Sequence, residues 1–250
     1  MKIPVLTYHS IEESGSIIST RPETFRRQIK ILSDNDYCVL PLGKIIENLI
    51  AKEPISPKTI ALTFDDGFQN FYSTAFPILA EHGFPATVFL VTEFCGKFND
   101  WSGNPTDLPR SPLLSWREIK ELQAYGIEFG AHSQTHPDLT AISTAEAEWE
   151  IVGSKLVIED MLGEKVNIFA YPYGKFDLFL RAMTKKYYRA ACSVKLGKIC
   201  RTSDLFMLER IDSYYLSNPK IINLLASNSF DRYLQFRQLL RDFKSFLQRN

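Results

Sequence analysis

The 250-residue sequence is 45% apolar and 23% charged, enough to bury a sizeable core in one large domain. Its 29 basic and 29 acidic residues cancel, which removes any global attraction to nucleic acid or to an anionic membrane. No window approaches the roughly 18 consecutive apolar residues of a spanning helix, the opening MKIPVLTYHS is too short for a secretory segment, and Cys38, Cys95, Cys192 and Cys200 form no C-x-x-C pair; the expectation is a cytoplasmic protein with free thiols.

Taken in chain order, short β-branched or aromatic runs alternate with helical patterns. Strands are predicted at 3–8, 37–40, Thr59–Phe64, 86–92, 127–131, 166–171, 189–193 and 206–211. Pro22 opens a helix whose Phe25, Ile29 and Leu32 share a face, and Gly83 closes one containing Phe76 and Leu79. Two further helices start with capping boxes, Ser115 with Glu118 and Ser143 with Glu146, and Gly126 and Gly163 stand where helix-ending glycines belong. This order implies βα units and a mainly parallel sheet, closed as a barrel, with a doubly wound open sheet as the second reading. The least regular stretch is 93–115, too long for a simple connection and so a candidate functional rim.

In such an architecture the working residues gather at the C-terminal ends of the strands. Asp65 and Asp66, in ALTFDDGFQN, leave the strand Thr59–Phe64, and Gly67 lets the chain turn behind them. Successive residues leaving a strand point to different sides, so the two carboxylates need not face the same neighbour; a plain helix cap by Asp66 is the competing reading. His132 and His136 follow the strand at 127–131 with the i, i+4 spacing that brings two imidazoles together. Two imidazoles and one carboxylate form a mixed N/O set suited to a divalent metal with open positions, a catalytic rather than a structural site. YPYG at 171–174 reaches the same rim, where the backbone of Tyr173 and Gly174 can present an N–H to a reacting carbonyl, and His9 ends the strand at 3–8. His82 lies near a helix C-terminus and reads as structural.

TFDDG, HSQTHP and YPYG, in that order, resemble the polysaccharide deacetylase family, the NodB homology domain of carbohydrate esterase family 4, over roughly residues 3–215. PVLTYHSI and LERID further resemble the poly-N-acetylglucosamine deacetylase subgroup. The resemblance implies an α/β fold, a distorted (β/α) barrel with about seven parallel strands, and one divalent metal, zinc first, with cobalt or nickel substituting. It implies Asp66, His132 and His136 as ligands, Asp65 as general base, and an N-acetylated glycan as substrate, with the amide of Tyr173 facing the oxyanion.

The chain departs from the family pattern at two positions. Ala170 stands where most members carry an arginine that pairs with the catalytic aspartate, and Arg210 stands where a C-terminal histidine supplies the acid. The subgroup implies His9 as the acid instead, and Arg210 is then free to hold Asp65 ionised. The expected function is metal-dependent removal of N-acetyl groups from an amino sugar, a glycan or a lipid-linked glycan. The alternatives are a carbohydrate-binding pseudoenzyme and another C–N hydrolysis on the same scaffold.

Residues 1–218 are read as the catalytic domain and 219–250 as a helical extension. Phe230, Leu234, Leu240, Phe243 and Leu247 are expected to form one apolar stripe opposed by Arg232, Arg237, Arg241 and Lys244. Such a helix covers the barrel wall or, as a second reading, makes a weak contact with a membrane surface.

Overall fold

Alternation along each short strand decides which side chains enter the barrel. In β5 (Thr59–Phe64), Ile60, Leu62 and Phe64 pack outward among the helices, while Ala61 joins an interior cluster with Val5, Phe89, Ile168, Ala170, Ala190, Cys192 and Leu208. Full burial of such an aliphatic or aromatic side chain contributes about 1.5–3 kcal/mol. A computed structural model describes residues 1–247 of this architecture.

The elements in order are β1 (Val5–Tyr8), β2 (Ser10–Ile11), β3 (Ser19–Thr20), α1 (Pro22–Asp34), β4 (Cys38–Val39), α2 (Leu42–Ala51), β5, a π-helical turn (Phe71–Ala75) running into α3 (Phe76–Ala80), β6 (Thr87–Leu90), α4 (Trp116–Ala124), β7 (Glu128–Ala131), α5 (Thr144–Leu162), β8 (Ile168–Ala170), α6 (Leu178–Tyr187), β9 (Ala190–Leu196), β10 (Leu208–Asp212), α7 (Pro219–Ile222) and α8 (Asn228–Leu247). Seven strands close a parallel ring in the order β1, β5, β6, β7, β8, β9, β10, with β1 pairing to β5 on one edge and to β10 on the other. The predicted strand at 37–40 shrinks to the two residues of β4, which pair with Thr59 and Ile60 and take no part in closing the ring. Leu42, Ile45, Ile46 and Leu49 of α2, a helix without a clear start signal in the sequence, join the interior cluster at the end of the barrel opposite Asp65.

Local signals hold where they were clearest. Pro22 opens α1, whose buried face is Phe25, Gln28, Ile29 and Leu32. Both capping boxes form, and Gly126 and Gly163 follow α4 and α5 with positive φ.

The C-terminal helix departs from expectation. Phe230 and Leu234 are buried, whereas Leu240 and Phe243 point to solvent, so the five apolar residues do not share one stripe. Six positions separate Leu234 from Leu240, which turns the second about 240° around the helix from the first. The side chains of Lys244 and Leu247 lie outside the described residues. On its inner side α8 is fastened to β9, where Gln238 Oε1 accepts the Leu196 N–H (2.8 Å) and Arg241 Nη1 donates to the Val194 carbonyl (2.9 Å).

Candidate active site

The amide of Asp65 donates to the Tyr8 carbonyl at 2.9 Å, continuing the β1–β5 ladder one residue beyond the strand. Asp65 therefore keeps the alternation of Ala61 and points to the barrel axis. The next two residues, Asp66 and Gly67, both take φ of +70°, so the chain reverses and Asp66 faces a different neighbour. At position 67 a Cβ would meet Leu90 Cδ2 at 3.0 Å in a left-handed conformation, which leaves glycine the unstrained residue there.

Asp66, His132 and His136 converge. Asp66 Oδ1 lies 3.4 Å from His132 Nε2 and 3.4 Å from His136 Nε2, and the two Nε2 atoms are 3.2 Å apart. All three side chains are buried, and Asp66 Oδ1 has no hydrogen-bond partner. His132 Nδ1 lies 2.7 Å from the Ala170 carbonyl; donating there fixes the tautomer and leaves Nε2 with its lone pair toward Asp66. Three lone-pair atoms spaced in this way match a tetrahedral divalent ion, for which bonds of about 2.0–2.1 Å place ligand atoms roughly 3.3 Å apart. The residues present thus fit a metal, and the group can bind one. Burial drives the His136 pKa down to about 3, with His132 and His9 adding to it, so its imidazole is neutral and ready to ligate. His132 is displaced the other way: burial lowers its pKa, but Asp66 and Asp65 more than offset that.

Asp65 stands outside this trio. Arg210 Nη1 and Nη2 reach its two oxygens at 2.7 Å each, a two-pronged ion pair with both residues buried. Burial pushes the Asp65 carboxyl up, yet the Arg210 guanidinium outweighs it and holds the group below the usual carboxylate range. The arginine is itself fixed by Nε donating to the Ser193 carbonyl (3.1 Å). His9 Nε2 lies 4.0 Å from Asp65 Oδ2, so His9 belongs to the Asp65 side of the cavity and is not part of the metal-binding trio.

In the turn at 172–174, Tyr173 has φ +57°, Gly174 donates to the Tyr171 carbonyl (2.8 Å) and Lys175 to that of Pro172 (3.1 Å). The Tyr173 ring lies 4.6 Å from that of His136. Among the described residues, four of the seven non-glycine positions with positive φ (Asp66, Ser133, His136 and Tyr173) fall in these loops, backbone strain of about 1–3 kcal/mol each, concentrated at the site.

Two participants escaped the sequence reading. Glu150 of α5 is buried beneath the histidine loop, where its carboxylate accepts the amides of Gln134 (2.7 Å) and Thr135 (2.9 Å) and the Thr135 hydroxyl. Trp101, from the irregular 93–115 stretch, packs with its ring centre 4.6 Å from that of His136 at a tilt of 36°, its indole N–H buried. A carboxylate fifteen to sixteen residues downstream on a helix carries no motif that would have marked it, and the tryptophan read as loop composition. Trp101, with His9, Asp65, Asp66, His132, His136 and Tyr173, lines a cavity of about 270 Å³ at the C-terminal end of the barrel.

Comparison with known proteins places this geometry. The family model described as polysaccharide deacetylase matches residues 52–190, which is 139 of the 250. The chain belongs to the polysaccharide deacetylase family. It is thereby a hydrolase of the carbohydrate deacetylase class. This deacetylase is 27% identical to YxkH of Bacillus subtilis (strain 168) over 211 residues, 84% of its own length and 71% of that protein. It is 26% identical over 153 residues to the poly-beta-1,6-N-acetyl-D-glucosamine N-deacetylase of Escherichia coli (strain K12), of which the match spans only 22%. Among solved structures, the Streptococcus pyogenes deacetylase PplD in complex with acetate superposes with a TM-score of 0.75 at 26% identity, over 85% of this chain and 92% of that one. His9 and Arg210 both fall outside the family-matched stretch, so their placement rests on the geometry of this deacetylase alone.

Proposed function

We propose that this deacetylase removes N-acetyl groups from an N-acetylated amino sugar, free, polymeric or lipid-linked, using one divalent ion, zinc first, with cobalt or nickel able to replace it. The observation that carries the reading is the division of labour between adjacent carboxylates: Asp66 faces two imidazoles, and Asp65 faces Arg210. An ion held by Asp66, His132 and His136 would supply Lewis-acid chemistry, making water more acidic and a bound carbonyl more electrophilic.

The rest is done by the protein. Asp65, kept ionised by Arg210, accepts a proton from the attacking water. The amide of Tyr173 is the remaining donor of its turn, since Gly174 and Lys175 spend theirs internally and Pro172 has none; it serves the oxyanion as charge develops. His9, on the other side of Asp65, donates the proton that lets the amine leave as the C–N bond breaks and acetate forms. Arg210 replaces the cation that Ala170 cannot provide. Residues 1–218 form the catalytic unit of this reading and 219–250 its helical extension.

Acetate release from N-acetylated mono-, oligo- and lipid-linked sugars, measured after chelation and after zinc or cobalt is restored, tests the proposal. Metal-restored release that is abolished in Asp65→Asn is the expected result. Sugar binding with no release from any substrate would leave a pseudoenzyme. His9→Ala should lower turnover and keep metal affinity; loss of the metal instead would make His9 a ligand.

A further inference from the structure

Beside the catalytic cavity β9 and β10 fall out of register. Cys192 stands against Leu208 and Leu196 against Arg210, so three residues of β9, Ser193, Val194 and Lys195, oppose the single Glu209 of β10. A bulge of this kind bends its strand and re-aims the groups on it, and the regular ladder no longer fixes where they lie. Both arms of the site start from it. The Ser193 carbonyl accepts Arg210 Nε (3.1 Å), which sets the guanidinium that grips Asp65. Val194 lies against Gly174, where an added Cβ would have no room, and so seats the turn that presents the Tyr173 amide.

Side chains of α8 hold the bulge from outside. Arg241 Nη1 donates to the Val194 carbonyl (2.9 Å) and Gln238 Oε1 accepts the Leu196 N–H (2.8 Å), one contact inside the bulge and one at its end. Phe230 and Leu234 already bury the helix by apolar contact, so an arginine ordered at this point, at a cost in rotamer entropy, needs another reason. Its surroundings supply one. With His9, Asp65, Ser193, Arg210 and Asp212, Arg241 lines a second cavity, of about 70 Å³, that shares His9, Asp65 and Val194 with the catalytic one. Among the described residues it is the one lining group of that cavity drawn from 219–250.

We infer that Arg241 is a positioning residue for the deacetylation: from α8 it holds the β9 bulge, and through the bulge it sets both the Arg210–Asp65 pair and the Tyr173 turn. The segment 219–250 is then a working part of the site. The clamp stands on the contacts of the folded chain alone. Its effect on turnover rests on the deacetylase reading above.

The test compares the full chain with Arg241→Ala, Arg241→Lys and Arg232→Ala, the last removing an equal charge from an exposed position of the same helix. Hydrogen exchange reads the clamp without any substrate. In Arg241→Ala the amides of Lys195 and Leu196 in β9, and of Gly174 and Lys175 in the turn, should exchange roughly fivefold faster, while those of β5 and β6 keep the wild-type rate. Acetate release by the zinc-loaded enzyme reads the consequence. In Arg241→Ala kcat should fall roughly ten- to a hundredfold, with KM and the zinc dissociation constant within about twofold of wild type, the split expected when base and oxyanion donor are displaced but binding is not. Arg241→Lys, which still offers an N–H to Val194, should recover part of the loss, and Arg232→Ala should match the wild type throughout. The proposal is overturned if exchange at the four amides is unchanged in Arg241→Ala, if kcat holds its wild-type value, or if the loss lies in KM alone. A wild type that releases no acetate from any sugar would remove the deacetylase reading, and the exchange measurement would then decide the clamp by itself.

Discussion

Asp65 and Arg210 form a buried pair in which each charge depends on the other. Arg210→Ala strands a carboxylate away from water, a change that costs about 3–5 kcal/mol when one partner of a buried pair is removed. Denaturant unfolding should register that loss, and acetate release should fall about a hundredfold or more as Asp65 loses its ionised, oriented state. Arg210→Lys keeps the charge but not the fork and should fall between wild type and Ala; wild-type activity in Arg210→Ala would remove the arginine from the mechanism. Glu150→Ala should free the amides at 134 and 135 and weaken zinc binding by about 10–100-fold, read by competition with a chelator. Asp65, Asp66, His132 and His136 were legible because each sits in a short motif at a strand end. The Arg210–Asp65 contact was only partly so: β1 lies between β5 and β10 in the ring, and the sequence does not show which inward residue spans it.

Short elements at the rim act through their neighbours. Gly174 has φ +65°, and a Cβ on it would come within 2.3 Å of Val194 Cγ2, so the turn carrying Tyr173 is seated directly on the end of β9. Gly174→Ala is expected to cost about 1–3 kcal/mol and to lower turnover more than substrate affinity, with Val194→Ala restoring part of the loss; no rescue would separate the turn from β9. Farther along, Asp231 at the start of α8 pairs with Lys198 (2.6 Å) and Lys2 (2.9 Å). Burial works against its ionisation, but the two lysines prevail and hold it below the ordinary carboxylate range. A depressed folded pKa means this contribution is present above the unfolded value of about 3.9 and fades as pH falls through the folded one. Solvent screening limits it to the order of 1 kcal/mol. An acid titration of stability should show that loss in the wild type and not in Asp231→Asn. The helix itself was legible from its periodicity, but which apolar residues it buries was not: apolar residues recur on both faces, and only docking against β9 chooses between them.

At the scale of the whole molecule the alternation of strands and helices pointed to a parallel barrel ahead of a doubly wound sheet, because eight short apolar runs with intervening helical patterns leave few other ways to bury both faces of a sheet. The sequence does not show that α2 would fill one end, since that placement depends on where the interior leaves room. Filling one end matters for function, because it leaves the opposite end as the place where polar groups can converge. There three lone-pair atoms are held 3.2–3.4 Å apart by loops with strained backbones, at a cost that folding alone does not recover. A divalent ion bound by the folded chain and not by the unfolded one would offset that cost. At a free zinc concentration a hundred times the dissociation constant the gain is about 2.7 kcal/mol, which for a chain of this length raises the melting temperature by roughly 5–10 °C. Chelation should remove the increment, zinc or cobalt should restore it, and Asp66→Ala or His136→Ala should abolish the response to metal. A wild-type melting temperature that ignores both chelator and zinc would mean that the trio is not a metal site, whatever the activity of the preparation.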